Sequence, residues 1–226
     1  ILGGNLGLNS RYKGTTEEPL TVYADDFNRD GRLDPVIAYY NGGEEYIIHD
    51  RITLSQQINS IKKKFVKNLS YAEATVEDVL GKELLDKALT LRANHFKTSL
   101  FINDGTGSFE YKELPIEVQF SQVNDIQVLD FDKDGILDLL FGGNSFSPEV
   151  FNGRYDAQSA IALKGLGNGN YLPLTQSQSG LENDGVVNSM EILNLNGEQF
   201  VLLLKNNDKA ELLQVNMDNK NLKGGY

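Results

Sequence analysis

There is no cysteine in the 226 residues, so no disulfide and no thiol chemistry holds or drives this chain. That absence names no compartment. Histidine is scarce as well: His49 and His95 are the two present. Neither stands in a pattern that pairs a nucleophile with a base or gathers metal-binding nitrogens, so the chain reads as non-catalytic. No apolar run approaches the roughly 20 residues that cross a bilayer, and the first residues lack the basic-then-apolar order of a secretory leader. Positive charge is short. Against 32 Asp and Glu stand 21 Lys and Arg, a formal net charge of -11, which argues against a nucleic-acid backbone as partner.

Hydrophobic residues at 40% and 22 glycines allow one large β-rich domain, or part of one, with a sizeable core. The most informative stretch is Asp130 to Asp138, DFDKDGILD, because Asp26 to Asp34 repeats it as DFNRDGRLD. Acidic or amide oxygens fall at positions one, three, five and nine of each loop. Gly follows position five, where a sharp turn aims alternate oxygens inward. Four carboxylates on one short loop repel one another, and a hard divalent cation offsets that repulsion. Calcium, with six to eight oxygen ligands in flexible geometry, suits such a loop better than magnesium, which keeps more of its water. Asp130, Asp132, Asp134 and Asp138 are the candidate side-chain ligands, with the Ile136 carbonyl and water completing the shell. An EF-hand is excluded: it needs an acid at position twelve and flanking helices, whereas position twelve is Ile37 or Phe141 and the flanks read as strands. With four carboxylates against three plus an amide, the second loop is expected to bind more tightly. Two calcium ions would bring the net charge to about -7.

Repeats extend beyond the loops. Leu2-Gly3-Gly4-Asn5 is echoed by Phe141-Gly142-Gly143-Asn144, and the Asn103 to Phe109 turn by Gly165 to Tyr171. Both turns are Asn/Asp/Gly-rich hairpin chemistry that needs no ligand to explain it. One unit therefore reads as leading strand, loop, trailing strand and outer hairpin. A third unit starts near Val187, with Asn194, Asn196 and Gly197 where the acidic loop should be. Ile1 to Tyr12 looks like the end of a unit whose beginning is absent, so the chain is expected to be a fragment or a processed piece. Roughly Asp50 to Lys97 differs in character. Leu54, Ile58, Ile61 and Phe65 share one helical face behind a capping-box pattern of Thr53 and Gln56, and further helices follow from Thr75, broken at Gly81. Lys62-Lys63-Lys64 reads as a solvated helix face.

These loops, in this order with their strands and hairpins, resemble the FG-GAP/VCBS repeats that form β-propeller blades, including the integrin α-subunit head. The GGNLGLNSR and GRYDA segments are further similar to the C-terminal part of bacterial secreted FG-GAP proteins of the ASPIC/UnbV type, common in Bacteroidetes. The resemblance implies a mainly β fold of about three blades, a partial propeller with a helical insertion in the first complete blade. It divides the chain into the end of a preceding blade (1–15), a blade with its insert at about 50–97 (16–119), a second blade (120–183), and a degenerate third blade with a tail (184–226). It implies two calcium sites, on Asp26, Asn28, Asp30, the Arg32 carbonyl and Asp34, and on Asp130, Asp132, Asp134, Ile136 and Asp138. A propeller closes with at least about four blades, so the remaining blades are expected in a longer parent chain or on another chain.

The resulting expectation is a non-catalytic, calcium-binding interaction or scaffold part of a larger secreted, extracellular or outer-cell-surface protein. Its partner would be a protein or the remaining blades, with no nucleic acid and no transmembrane segment. The alternatives are an accessory propeller of a secreted carbohydrate-active enzyme and a glycan-binding module, in which Tyr39, Tyr40, Tyr46 and Tyr155 would stack on sugars where exposed. Tyr39 and Tyr40 alternate along a strand, so at most one of them faces out.

Overall fold

A computed structural model describes residues 1–148, 152–181 and 184–215. The fold is mainly β, with four antiparallel sheets and several short helices among the described residues. No described helix is long and apolar enough to cross a membrane. The chain forms two compact units: residues 12–96, and residues 1–11 together with those from 97 onward. The first is inserted in sequence within the second, which is called the framing unit below.

The framing unit opens on the two-residue strand β1 (Leu2–Gly3). The chain then builds the inserted unit around β2 (Leu20–Asp25), β3 (Asp34–Asn41) and β4 (Glu44–Ile47). Five short helices follow: α1 (Arg51–Gln57), α2 (Ser60–Lys64), α3 (Asn68–Ala72), α4 (Val76–Leu80) and α5 (Lys82–Leu85). The unit closes with β5 (Leu89–Ala93), and its sheet runs β4-β3-β2-β5. Alternation along β3 buries Val36 and Ala38, and the helices cover that face with Leu54, Ile58, Ile61 and Phe65. Fully burying side chains of this size contributes about 1.5–3 kcal/mol each.

The apolar stripe expected on one helix is therefore buried, but it is carried on two helices that break at Ile58, whose backbone is extended. The cap also differs from the sequence pattern. Asp50, not Thr53, caps α1, its carboxylate accepting from the N–H groups of Ile52 and Thr53. A capping box is found instead at α4, one of the helices expected from Thr75: Thr75 and Asp78 cap one another reciprocally, and Gly81 (φ +86°) ends the helix as expected.

The framing unit continues with β6 (Ser99–Asn103) and β7 (Phe109–Glu113), in a sheet ordered β1-β6-β7. This hairpin, expected in the blade of β2 and β3, pairs otherwise. Leu2 faces Leu100 and Gly3 faces Ser99, while β3 has β2 and β4 as neighbours. The helical part ends at Leu85, and β5 joins β2 instead of extending a helical insert to 97.

The next sheet is an uninterrupted meander: β8 (Val123–Leu129), β9 (Asp138–Gly143), β10 (Ala160–Gly167) and β11 (Asn170–Pro173), in order β11-β10-β9-β8. Its register repeats that of β1 and β6, since Phe141 faces Ile161 and Gly142 faces Ala160. The LGGN and FGGN echoes thus mark the same place in two sheets. β9 is buried along its whole length, and Gly143 is required there: a Cβ would lie 2.1 Å from the Gln122 carbonyl oxygen. After the short helix α6 (Gln176–Ser179) comes a third sheet, β12 (Val187–Leu195), β13 (Glu198–Lys205) and β14 (Glu211–Gln214). Here Asn196 (φ +53°) and Gly197 (φ +85°) form a two-residue hairpin turn between Leu195 and Glu198, in place of an acidic loop. Of the expected third blade and tail (184–226), residues 216–226 lie outside the described residues.

Candidate metal loops

Each Asp-rich loop joins two paired strands at their ends. The pair Asp25–Asp34 closes the ladder before one loop, and Leu129–Asp138 before the other. Within both loops the side chains bond the backbone in the same way. In the first, Asp26 accepts from the N–H groups of Asp30 (2.9 Å) and Gly31 (2.8 Å), Asn28 from Asp30 (2.8 Å), and Asp30 from Arg32 (2.9 Å). In the second, Asp130 accepts from Asp134 (3.1 Å) and Gly135 (2.9 Å), Asp132 from Asp134 (3.2 Å), and Asp134 from Ile136 (2.8 Å). Arg29 and Gly31, like Lys133 and Gly135, take positive φ, which turns the chain tightly enough for these oxygens to converge. The expected equivalence of the two loops therefore extends to individual hydrogen bonds.

Oxygens of Asp130, Asp132 and Asp138 lie within 4.8 Å of one another. Asp134 lies outside that trio, its Oδ2 accepting from the Lys164 ammonium at 2.8 Å, and Lys164 also bonds Asp132 Oδ2. Asp138 is fully buried, and both its oxygens are occupied, by the N–H of Phe131 (2.9 Å) and of Gly165 (2.7 Å). Burial pushes its carboxyl above the usual carboxylate range, the nearby charges of Asp134 and Asp130 push the same way, and the two N–H donors oppose the rise.

The loop at 26–34 differs at its edge. Asp34 is 3% exposed, and its Oδ2 is buried with no hydrogen-bond partner. The flank here is α1, not a strand: Asn28 donates to the Gln57 carbonyl at 2.8 Å. A donor set made only of oxygens, with a buried carboxylate oxygen left over, fits a hard cation.

Lys164 is the site residue that the sequence reading missed. It follows the buried run Ala160 to Leu163 and precedes the buried Gly165, in a strand whose far end is exposed at Leu166. Gly165 is equally necessary, since a Cβ there would lie 2.3 Å from the Leu137 carbonyl oxygen. Of the four tyrosines named for sugar stacking, Tyr155 is buried at 8% and has no open face for a sugar. Tyr39 is exposed, Tyr40 and Tyr46 half-buried. Compared with known proteins, the chain matches no protein-family model, no curated protein and no solved structure.

Proposed function

We propose that this chain is a calcium-binding part of a β-propeller of the FG-GAP/VCBS kind, acting as a non-catalytic interaction or scaffold module of a larger secreted or cell-surface protein. The observation that carries the reading is the buried, unpartnered Asp34 Oδ2 at the last position of a loop whose hydrogen-bond skeleton recurs at 130–138. An acceptor desolvated without a partner is costly, and a bound cation relieves that cost. Asp26, Asn28, Asp30 and Asp34 would hold one ion, with the Arg32 carbonyl. Asp130, Asp132, Asp134 and Asp138 would hold the other, with the Ile136 carbonyl. Calcium would supply positive charge that ties the two strands of each pair together. Calorimetric titration of chelator-treated protein should show calcium binding at up to two sites and a raised melting temperature. A protein that neither takes up calcium nor melts higher with it would refute the reading.

A second reading, glycan binding, is favoured by a polar cavity of about 650 Å³ in the inserted unit, lined among others by Tyr23, Tyr40, Glu45, Thr90 and Arg92. The Tyr23 hydroxyl donates to Glu45 Oε2 at 2.7 Å, while Glu45 Oε1 is buried with no partner. Burial, then the Glu45 carboxylate, holds the Tyr23 hydroxyl well above the usual phenol range, so it remains a donor. An unpaired buried acceptor beside an aromatic ring and a guanidinium suits vicinal sugar hydroxyls. On a glycan array, wild type should bind a saccharide that Glu45→Gln binds at least about tenfold more weakly. Binding by neither protein would remove this reading.

A further inference from the structure

We infer that the two loops differ in kind: the loop at 26–34 is the tight calcium site, whereas the loop at 130–138 carries its own counter-cation, Lys164, which weakens calcium there. This rests on the calcium reading above and reverses the order that counting carboxylates gives.

Antiparallel pairing of Leu139 with Leu163 places Lys164 next to Asp138, at the loop's edge. From there its ammonium reaches Asp132 and Asp134, and its side chain is 13% exposed. Gly165 follows and gives its N–H to Asp138. Two of the four carboxylates thus share one ammonium supplied by the chain itself, which offsets one of their charges, and the most buried one has both oxygens bonded.

In the other loop the same position falls to Arg51. Pairing of Ala38 with Ile47, stepped on four residues along both strands, would bring Arg51 opposite Asp34. The chain leaves the sheet before that point. Ile48 still donates to the Ile37 carbonyl, but Asp50 caps α1 and Arg51 becomes its first residue. The guanidinium then serves the helices, donating to Asn68 Oδ1 at 2.6 Å and to the Phe65 carbonyl at 3.3 Å. Among the described residues no Lys or Arg pairs with Asp26, Asp30 or Asp34, and Asp34 Oδ2 is left without a donor. With Arg51 in the helix, one loop has no built-in cation, whereas the other has Lys164.

Calcium entering the 130–138 loop either displaces Lys164 from two charge-assisted hydrogen bonds or binds beside a positive charge a few ångströms away. Both routes lower affinity, by about tenfold to a hundredfold at the dielectric of a partly exposed site.

The test is calcium titration calorimetry on wild type, Lys164→Met and Lys164→Gln, with Asp30→Asn and Asp130→Asn assigning each loop. Thermal melts with and without calcium confirm folding. The tighter wild-type site should disappear in Asp30→Asn. Both Lys164 variants should tighten the 130–138 site at least about tenfold, leave the other unchanged, and melt lower than wild type without calcium but gain more from it. Unchanged or weaker affinity at 130–138 in both variants, with calcium still bound at two loops, overturns this inference alone. Calcium binding at neither loop in any folded variant overturns the calcium reading and this inference with it.

Discussion

At the scale of single residues, Asn144 illustrates how a polar side chain organises the framing unit. It is 2% exposed, at φ +75°. Its Oδ1 accepts from the Ser121 hydroxyl (2.8 Å) and the Gln158 N–H (3.0 Å), and its Nδ2 donates to the Gly185 carbonyl (2.9 Å). Asn is the residue that both tolerates left-handed backbone and can make all three bonds. Asn144→Ala should cost about 3 kcal/mol, from unpaired buried groups plus backbone strain. Asn144→Gly, which keeps the backbone comfortable, should cost about 1 kcal/mol less. Denaturant titrations would show the difference as shifts in midpoint at constant slope. Equal losses in the two variants would remove backbone strain from the explanation.

Among the elements, α1 decides most. Asp50 caps it in an extended conformation, and Asp50→Ala should lower stability by about 1 kcal/mol near neutral pH. The Thr53 hydroxyl, followed by the Thr53 and Ile52 N–H groups, holds the Asp50 carboxyl below its ordinary value. A carboxyl depressed in the folded state contributes stability that is present above its unfolded pKa and lost as pH falls through its folded pKa. The gap between wild type and Asp50→Ala should therefore be constant above about pH 5 and shrink below about pH 4. Melting curves of both proteins across that range measure it, and a gap that widens in acid would contradict the assignment.

At this scale, too, only local chemistry leaves its trace in the sequence. Both loops were legible because ligand oxygens must alternate along a tight turn, which leaves a fixed spacing. The strands were legible from their apolar runs, and the helix break at Gly81 from the glycine itself. Pairing across the insertion was hidden, because nothing local in Ser99–Asn103 records that its neighbour is Leu2–Gly3, nearly 100 residues earlier. The LGGN and FGGN echoes held that information once their register was known. Lys164 was hidden for the same reason. Its role comes from the strand beside the loop and not from the loop itself. Arg51 carries no local mark either: only the register of the neighbouring strands shows that it would face Asp34 if the sheet ran on.

On the scale of the whole molecule, an excess of negative charge coexists with two loops that concentrate carboxylates. The molecule meets that repulsion in two ways, with a lysine at 130–138 and, in our account, with an ion at 26–34. The most direct measurement is an anomalous difference map from crystals of the calcium-loaded protein. The account predicts a calcium peak in the 26–34 loop, roughly 2.3–2.6 Å from Asp34 Oδ2. A calcium-saturated protein with no peak at that loop would contradict it.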